Sequence, residues 1–161
     1  MSDEVLQPVP EPLTGAGAVP RVLLVGVDGQ DGGVRALVAA GDLARRNSLE
    51  VVVGHVHPLS DALTPGECVQ GLRDDAELDL LLTAAAVLDP LGVPWRLALT
   101  TGDPVTGLQE LAEQVQAELV VIGTHGRGGW CLLRRLLHGS VSSRLVHGEH
   151  RPVLVVPPPG R

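Results

Sequence analysis

The chain has 161 residues, 44% of them hydrophobic, and a formal net charge of −7, enough for one domain with its own core and the wrong sign for gripping a nucleic-acid backbone or an anionic membrane. Phe and Tyr are absent, and Trp95 and Trp130 alone offer large aromatic rings, so platforms for stacking single-stranded bases have almost nothing to be built from. Cys68 and Cys131 are too few for a disulfide scaffold and lack zinc spacing, which suits a cytoplasmic setting, and neither a run of about 18 apolar residues nor an export signal is read.

Met1 to Pro20 is rich in Pro and Gly and has no periodicity; it is read as a disordered tail. Five apolar, β-branched runs follow: Val22 to Val27, Leu49 to Val56, Trp95 to Leu99, Leu119 to Ile122 and Val153 to Val156. They do not alternate strictly, as expected for strands covered on both faces. Helical patterns fill the intervals. Val34, Leu37, Val38, Gly41 and Ala44 follow helical spacing in the first, and the second, about Cys68 to Leu91, carries apolar Leu78, Leu81, Leu82, Ala85 and Leu88 beside the acids Asp74, Asp75, Glu77 and Asp79. Asp103-Pro104 predicts the start of the third, an N-cap followed by proline at the first helical position, with Val105, Leu108, Leu111, Ala112 and Val115 as its apolar face. Val141, Leu145 and Val146 begin a fourth, ended by His150-Arg151-Pro152. A βαβαβαβαβ order predicts a doubly wound parallel sheet with right-handed crossovers and a ligand beyond the carboxyl ends of the strands.

The segment after the fourth strand carries the strongest functional signal. Gly123-Thr-His-Gly126-Arg-Gly128-Gly129 leaves the strand, and Gly139-Ser140-Val141-Ser142 opens the last helix. Glycines let backbone approach a phosphate, and a helix start offers unpaired N–H groups and a positive dipole end. The same glycines also serve an ordinary strand-to-helix turn. Five arginines against one acid between His125 and Arg151 make the region locally basic. Asp28, His55, Val56, His57 and Gly123 all end strands on the same rim, so they can converge on one ligand.

The segments RVLLVGVDG from Arg21, LEVVVGHVHP, TGDPVTGLQELA, LVVIGTHGRGG, GSVSSRLV and RPVLVVP together resemble the universal stress protein family over residues 21 to 157. The resemblance implies a single α/β domain with strand order 3-2-1-4-5, residues 158–161 forming a short tail, homodimerisation through Val153–Val156, and bound ATP or AMP in one branch, with Mg²⁺ at its phosphates. It implies that Asp28 holds the ribose or base side, that Val56 offers its backbone to the adenine edge, and that Gly123, Gly126, Gly139, Ser140, Val141 and Ser142 surround the phosphates. For Asp28 a turn role before Gly29 competes; for Val56 plain strand core does.

The nucleotide-binding pattern Gly-x2-Gly-x9-Gly-Ser/Thr is not met from Gly123, because twelve residues, Arg127 to His138, precede Gly139. Starting at Gly126 and Gly129 satisfies the count but displaces the first glycine from the strand end. The Gly123 register is preferred. The longer loop suggests an alternative, a nucleotide-free interaction module whose Trp130 to Leu137 run covers the site or meets a protein partner. A slow ATP hydrolase is a third reading, weakened by the absence of a loop lysine and of a catalytic set. His55 and His57 share a strand face without a third metal ligand at a suitable spacing. Ser140 is not in a Gly-x-Ser-x-Gly elbow.

Overall fold

Apolar strands that end in glycine or aspartate, separated by helices with one small-residue face, leave a chain like this few solutions other than a covered parallel sheet. The structure, a computed structural model, describes residues 21–58, 67–124 (main chain only over 67–74) and 151–159. Its elements are β1 (Val22–Gly26), α1 (Asp31–Asn47), β2 (Glu50–His57), α2 (Glu67–Leu88) with a 3₁₀ turn over Asp89–Leu91, β3 (Trp95–Thr101), α3 (Pro104–Gln114), β4 (Ala117–Gly123) and β5 (Val153–Val156). All strand pairs are parallel and the order is β3-β2-β1-β4-β5, as the resemblance implies. The tail expected over Met1 to Pro20 and the helix expected from Val141 lie outside the described residues.

Side-chain alternation on the central strands divides the core into two layers. Leu23, Val25, Val51, Val53 and Val121 meet α1 and α2 on one face, while Leu24, Val52, Val56, Val120 and Ile122 meet α3 on the other. Burial of each such Leu or Val contributes roughly 1.5–3 kcal/mol relative to exposure. The path from β1 through α1, β2 and α2 to β3 travels to one edge. From there α3 crosses the other face to β4.

Small residues decide how closely the helices sit. The inward face of α1 includes Gly33, Ala36, Ala40, Gly41 and Ala44; a Cβ at Gly41 would stand 2.7 Å from Leu91 Cδ1. Strand ends differ from the sequence-based ones by one or two residues: β1 stops at Gly26 rather than Val27, β2 runs from Glu50 to His57, β3 continues to Thr101, and β4 runs from Ala117 to Gly123. The start expected for α3 is the one observed, Asp103 accepting from the amides of Val105 and Thr106, each at 3.2 Å, with Pro104 next.

Candidate functional site

Strand β1 stops before its neighbours, and this shapes the candidate site. Its last pairings join Gly26 to Gly54 on β2 and to Ile122 on β4, yet β2 runs on to His57 and β4 to Gly123. A gap therefore opens between two strand ends at the point where the strand order reverses, the place where doubly wound sheets accommodate ligands.

Asp28 stands at the mouth of this gap and is exposed. Its Oδ1 accepts the Gln30 amide at 3.1 Å, compensating for Gln30, which caps α1 without a side-chain bond. Gly29 supplies the positive φ of the turn, +76°. A Cβ at Gly33 would lie 3.1 Å from Asp28 Oδ1, so the carboxylate is laid over the first turn of α1. The turn-forming role weighed for Asp28 is thus present, on a side chain that also faces solvent.

Val56 is buried on the α3 face, where a Cβ on Gly107 would come within 2.9 Å of both its methyls. Its main chain has a different outlook. Val27 donates to the Gly54 carbonyl (2.9 Å) and Gly102 donates to the His57 carbonyl (2.8 Å). Main-chain groups alternate sides along a strand, so Val56 turns its N–H and C=O the way Gly54 does, toward β1, but past the point where β1 ends. The Val27 carbonyl, which a longer ladder would offer to Val56, instead accepts from His55 Nδ1 at 2.8 Å. A carbonyl only accepts, so His55 Nδ1 is the donor in this contact.

Gly123 closes the far side. Helix α1 begins so near the end of β4 that a Cβ here would overlap the Gly32 carbonyl. Main chain meets main chain, and that contact alone demands glycine at this position. The next residue, Thr124, is buried; its amide donates to Val156 (3.0 Å), and its carbonyl accepts from Arg35 Nη2 (3.0 Å).

The second histidine of β2, His57, is buried with Nε2 at 2.9 Å from Glu77 Oε1, and its ring meets that of His55 edge-on at 4.7 Å. Among the described residues no group of three or more His, Cys, Asp or Glu is arranged to hold a metal ion.

Of the site residues read from sequence, the structure brings Asp28, Val56 and Gly123 to one rim. Gly126, Gly139, Ser140, Val141 and Ser142 lie outside the described residues. Arg35, Thr124 and the His55 bond to Val27 were not anticipated, and their partners are 28 to 89 positions away. Contacts of that range leave no periodic trace. The one available sign was a cation, Arg35, in the first turns of α1.

The family model described as the universal stress protein family matches residues 20–157. Universal stress protein MJ0531 of Methanocaldococcus jannaschii is 30% identical over 144 residues, which cover 86% of this chain and 83% of that one. A Mycobacterium tuberculosis relative, 34% identical over 137 residues, is longer, and the match spans 44% of it. A solved universal stress protein family structure from Burkholderia pseudomallei superposes with a TM-score of 0.66 at 27% identity, covering 88% of this chain and 99% of that one. The structure of a universal stress protein in complex with cAMP superposes at 0.59 with 24% identity, over 86% of this chain and 98% of its own. With a sheet in the order 3-2-1-4-5, a family model matching residues 20–157 and a relative 30% identical over most of both chains, this protein belongs to the universal stress protein family.

Proposed function

We propose that the rim site binds an adenine nucleotide, ATP or AMP, as a regulatory ligand in a cytoplasmic stress response. The observation that carries this reading is the early end of β1, which turns the Val56 main chain toward a gap beside Asp28. An adenine edge offers a donor and an acceptor side by side, which an extended residue with a free-facing N–H and C=O complements. A carboxylate at Asp28 suits ribose hydroxyls. The phosphates then point toward Gly123, Gly126 and the Gly139-Ser140-Val141-Ser142 segment, with Mg²⁺ accompanying them. The solved relative in complex with cAMP lends support, since that ligand is also an adenine nucleotide.

Calorimetry with ATP, ADP and AMP tests the reading. Binding of at least one is expected, weakened about ten-fold or more when Gly139→Val places methyls against a phosphate, an effect on the scale of one lost charge-assisted bond. Negligible heat with all three would remove the hypothesis.

A second reading has its own observation. Gly32 accounts for glycine at 123, and Gln30 accounts for aspartate at 28, without any ligand. A nucleotide-free interaction module, with Trp130 to Leu137 as its contact segment, is what silent calorimetry would leave standing.

We further propose a homodimer through β5. It is the sheet edge and carries Leu154, 37% exposed, and edges of this kind are ordinarily covered. Leu154→Lys is expected to halve the sedimenting mass; an unchanged mass would exclude this edge as the interface.

A further inference from the structure

Arg35 has no place in the ligand contacts proposed above. Its side chain runs back toward the start of α1, as long helical side chains do, and Nη2 donates to the Thr124 carbonyl at 3.0 Å across 89 residues. Among the described residues its buried Nε has no hydrogen-bond partner, and no carboxylate pairs with the guanidinium. A half-buried cation ordinarily recovers its lost hydration from an ion pair. Among the described residues the group it meets is a neutral carbonyl.

That carbonyl belongs to the root of the glycine-rich segment. One residue earlier, Gly123 is pressed against Gly32; on the other side, the Thr124 amide is tied to Val156. Elements α1 and β5 thus hold the two peptide groups on either side of Thr124, at the end of β4. A bond with a charged donor is about twice as strong as a neutral one, and Thr124 is buried, so losing Arg35 would strand an acceptor away from water.

We infer that Arg35 is a positioning residue: by holding the Thr124 carbonyl it fixes the main chain at the end of β4, from which the glycine-rich sequence continues. Its consequence for a ligand rests on the nucleotide-binding reading; the clamp itself does not.

The experiment compares the wild type with Arg35→Met, Arg35→Lys and Arg35→Ala. Amide exchange of Thr124 is followed by NMR without nucleotide, with Val52 and Val53 as reporters of the core, and AMP and ATP affinities are measured separately. In Arg35→Met the Thr124 amide is expected to exchange about ten-fold faster while Val52 and Val53 are unchanged. Nucleotide affinity should fall about ten-fold. Millimolar guanidinium should restore part of the Thr124 protection in Arg35→Ala, and urea at the same concentration should not. Unchanged Thr124 exchange in a folded Arg35→Met protein would overturn the inference, as would equal rescue by urea. If Arg35→Met does not fold, Arg35→Lys decides: partial loss of protection supports the clamp and none overturns it. A wild type that binds no nucleotide removes only the affinity consequence, because the exchange measurement reads the clamp without any ligand.

Discussion

The two ends of the sheet satisfy their polar groups in opposite ways. At the amino end, charges meet charges across strands: Arg21 before β1 grips Glu118 of β4 through Nε and Nη2 at 2.7–3.0 Å, and Arg96 of β3 meets Glu50 of β2 at 3.0 Å. At the carboxyl end, Asp28 and Asp103 accept main-chain amides, and Arg35 and His55 approach main-chain carbonyls. His57 beside Glu77 is the exception there. Ion pairs close the amino end around its own side chains, with Arg151 Nε donating to the Ala117 carbonyl at 2.8 Å as the exception there. The carboxyl end invests its charged groups in shaping turns, and so keeps the main chain and one carboxylate turned toward solvent.

If the rim is built by main-chain approach, the most damaging change should be one that separates two backbones. Gly123→Val is expected to destabilise the protein by about 3 kcal/mol or more, because neither the Gly32 carbonyl nor β4 can move without shifting α1. Thermal unfolding should report a fall of roughly 2–4 °C per kcal/mol for a chain of this size. A variant as stable as the wild type would mean that the α1–β4 contact is not tight, and the comparison would lose its rim half.

A smaller effect tests whether rim carboxylates serve amides. Asp103→Ala removes the acceptor for Val105 and Thr106 at the start of α3, at an expected cost of about 1 kcal/mol, whereas Asp103→Asn should recover most of it. Denaturant midpoints measure both. Equal losses in the two variants would show that charge, rather than capping geometry, is what this position supplies.

Much of this difference between the two ends could be read from residues alone. Apolar, β-branched runs located the strands, and Asp103-Pro104 marked its helix start because a cap and a fixed φ act locally. The rim position of Asp28, Val56 and Gly123 followed from parallel topology. What escaped was anything set by where a neighbouring strand stops. That Val56 faces a gap depends on β1 ending at Gly26, and that Thr124 is clamped depends on Arg35 reaching over from α1. Gly123 was read for its freedom to approach a ligand, yet its nearest neighbour is Gly32. The same absence of a Cβ serves either purpose, and only the fold distinguishes them.

The amino end gives the smallest effect, and its sign follows from the charges. Hydrogen bonding to Arg21, more than Coulombic attraction, holds the Glu118 carboxyl below its ordinary value, while Arg21 is raised further above an already high one. A carboxyl with a lowered value in the folded state contributes stability above its unfolded value and loses it as pH falls through the lowered one. Arg21 stays protonated throughout that range and adds no slope. Glu118→Gln should therefore match the wild type closely at neutral pH, since both partners are solvent-exposed and well screened, and should lose less stability on acidification through the carboxylate range. Urea midpoints across that range, at low and high salt, measure the difference. Asp42, lowered chiefly by its hydrogen bond with Arg46, keeps part of the acid slope in both proteins, so the variant's curve should flatten without becoming level. A steeper acid slope in Glu118→Gln would reverse the sign and show that Glu118 is better accommodated protonated, which would undo the contrast between an end closed by ion pairs and a rim shaped for main-chain contact.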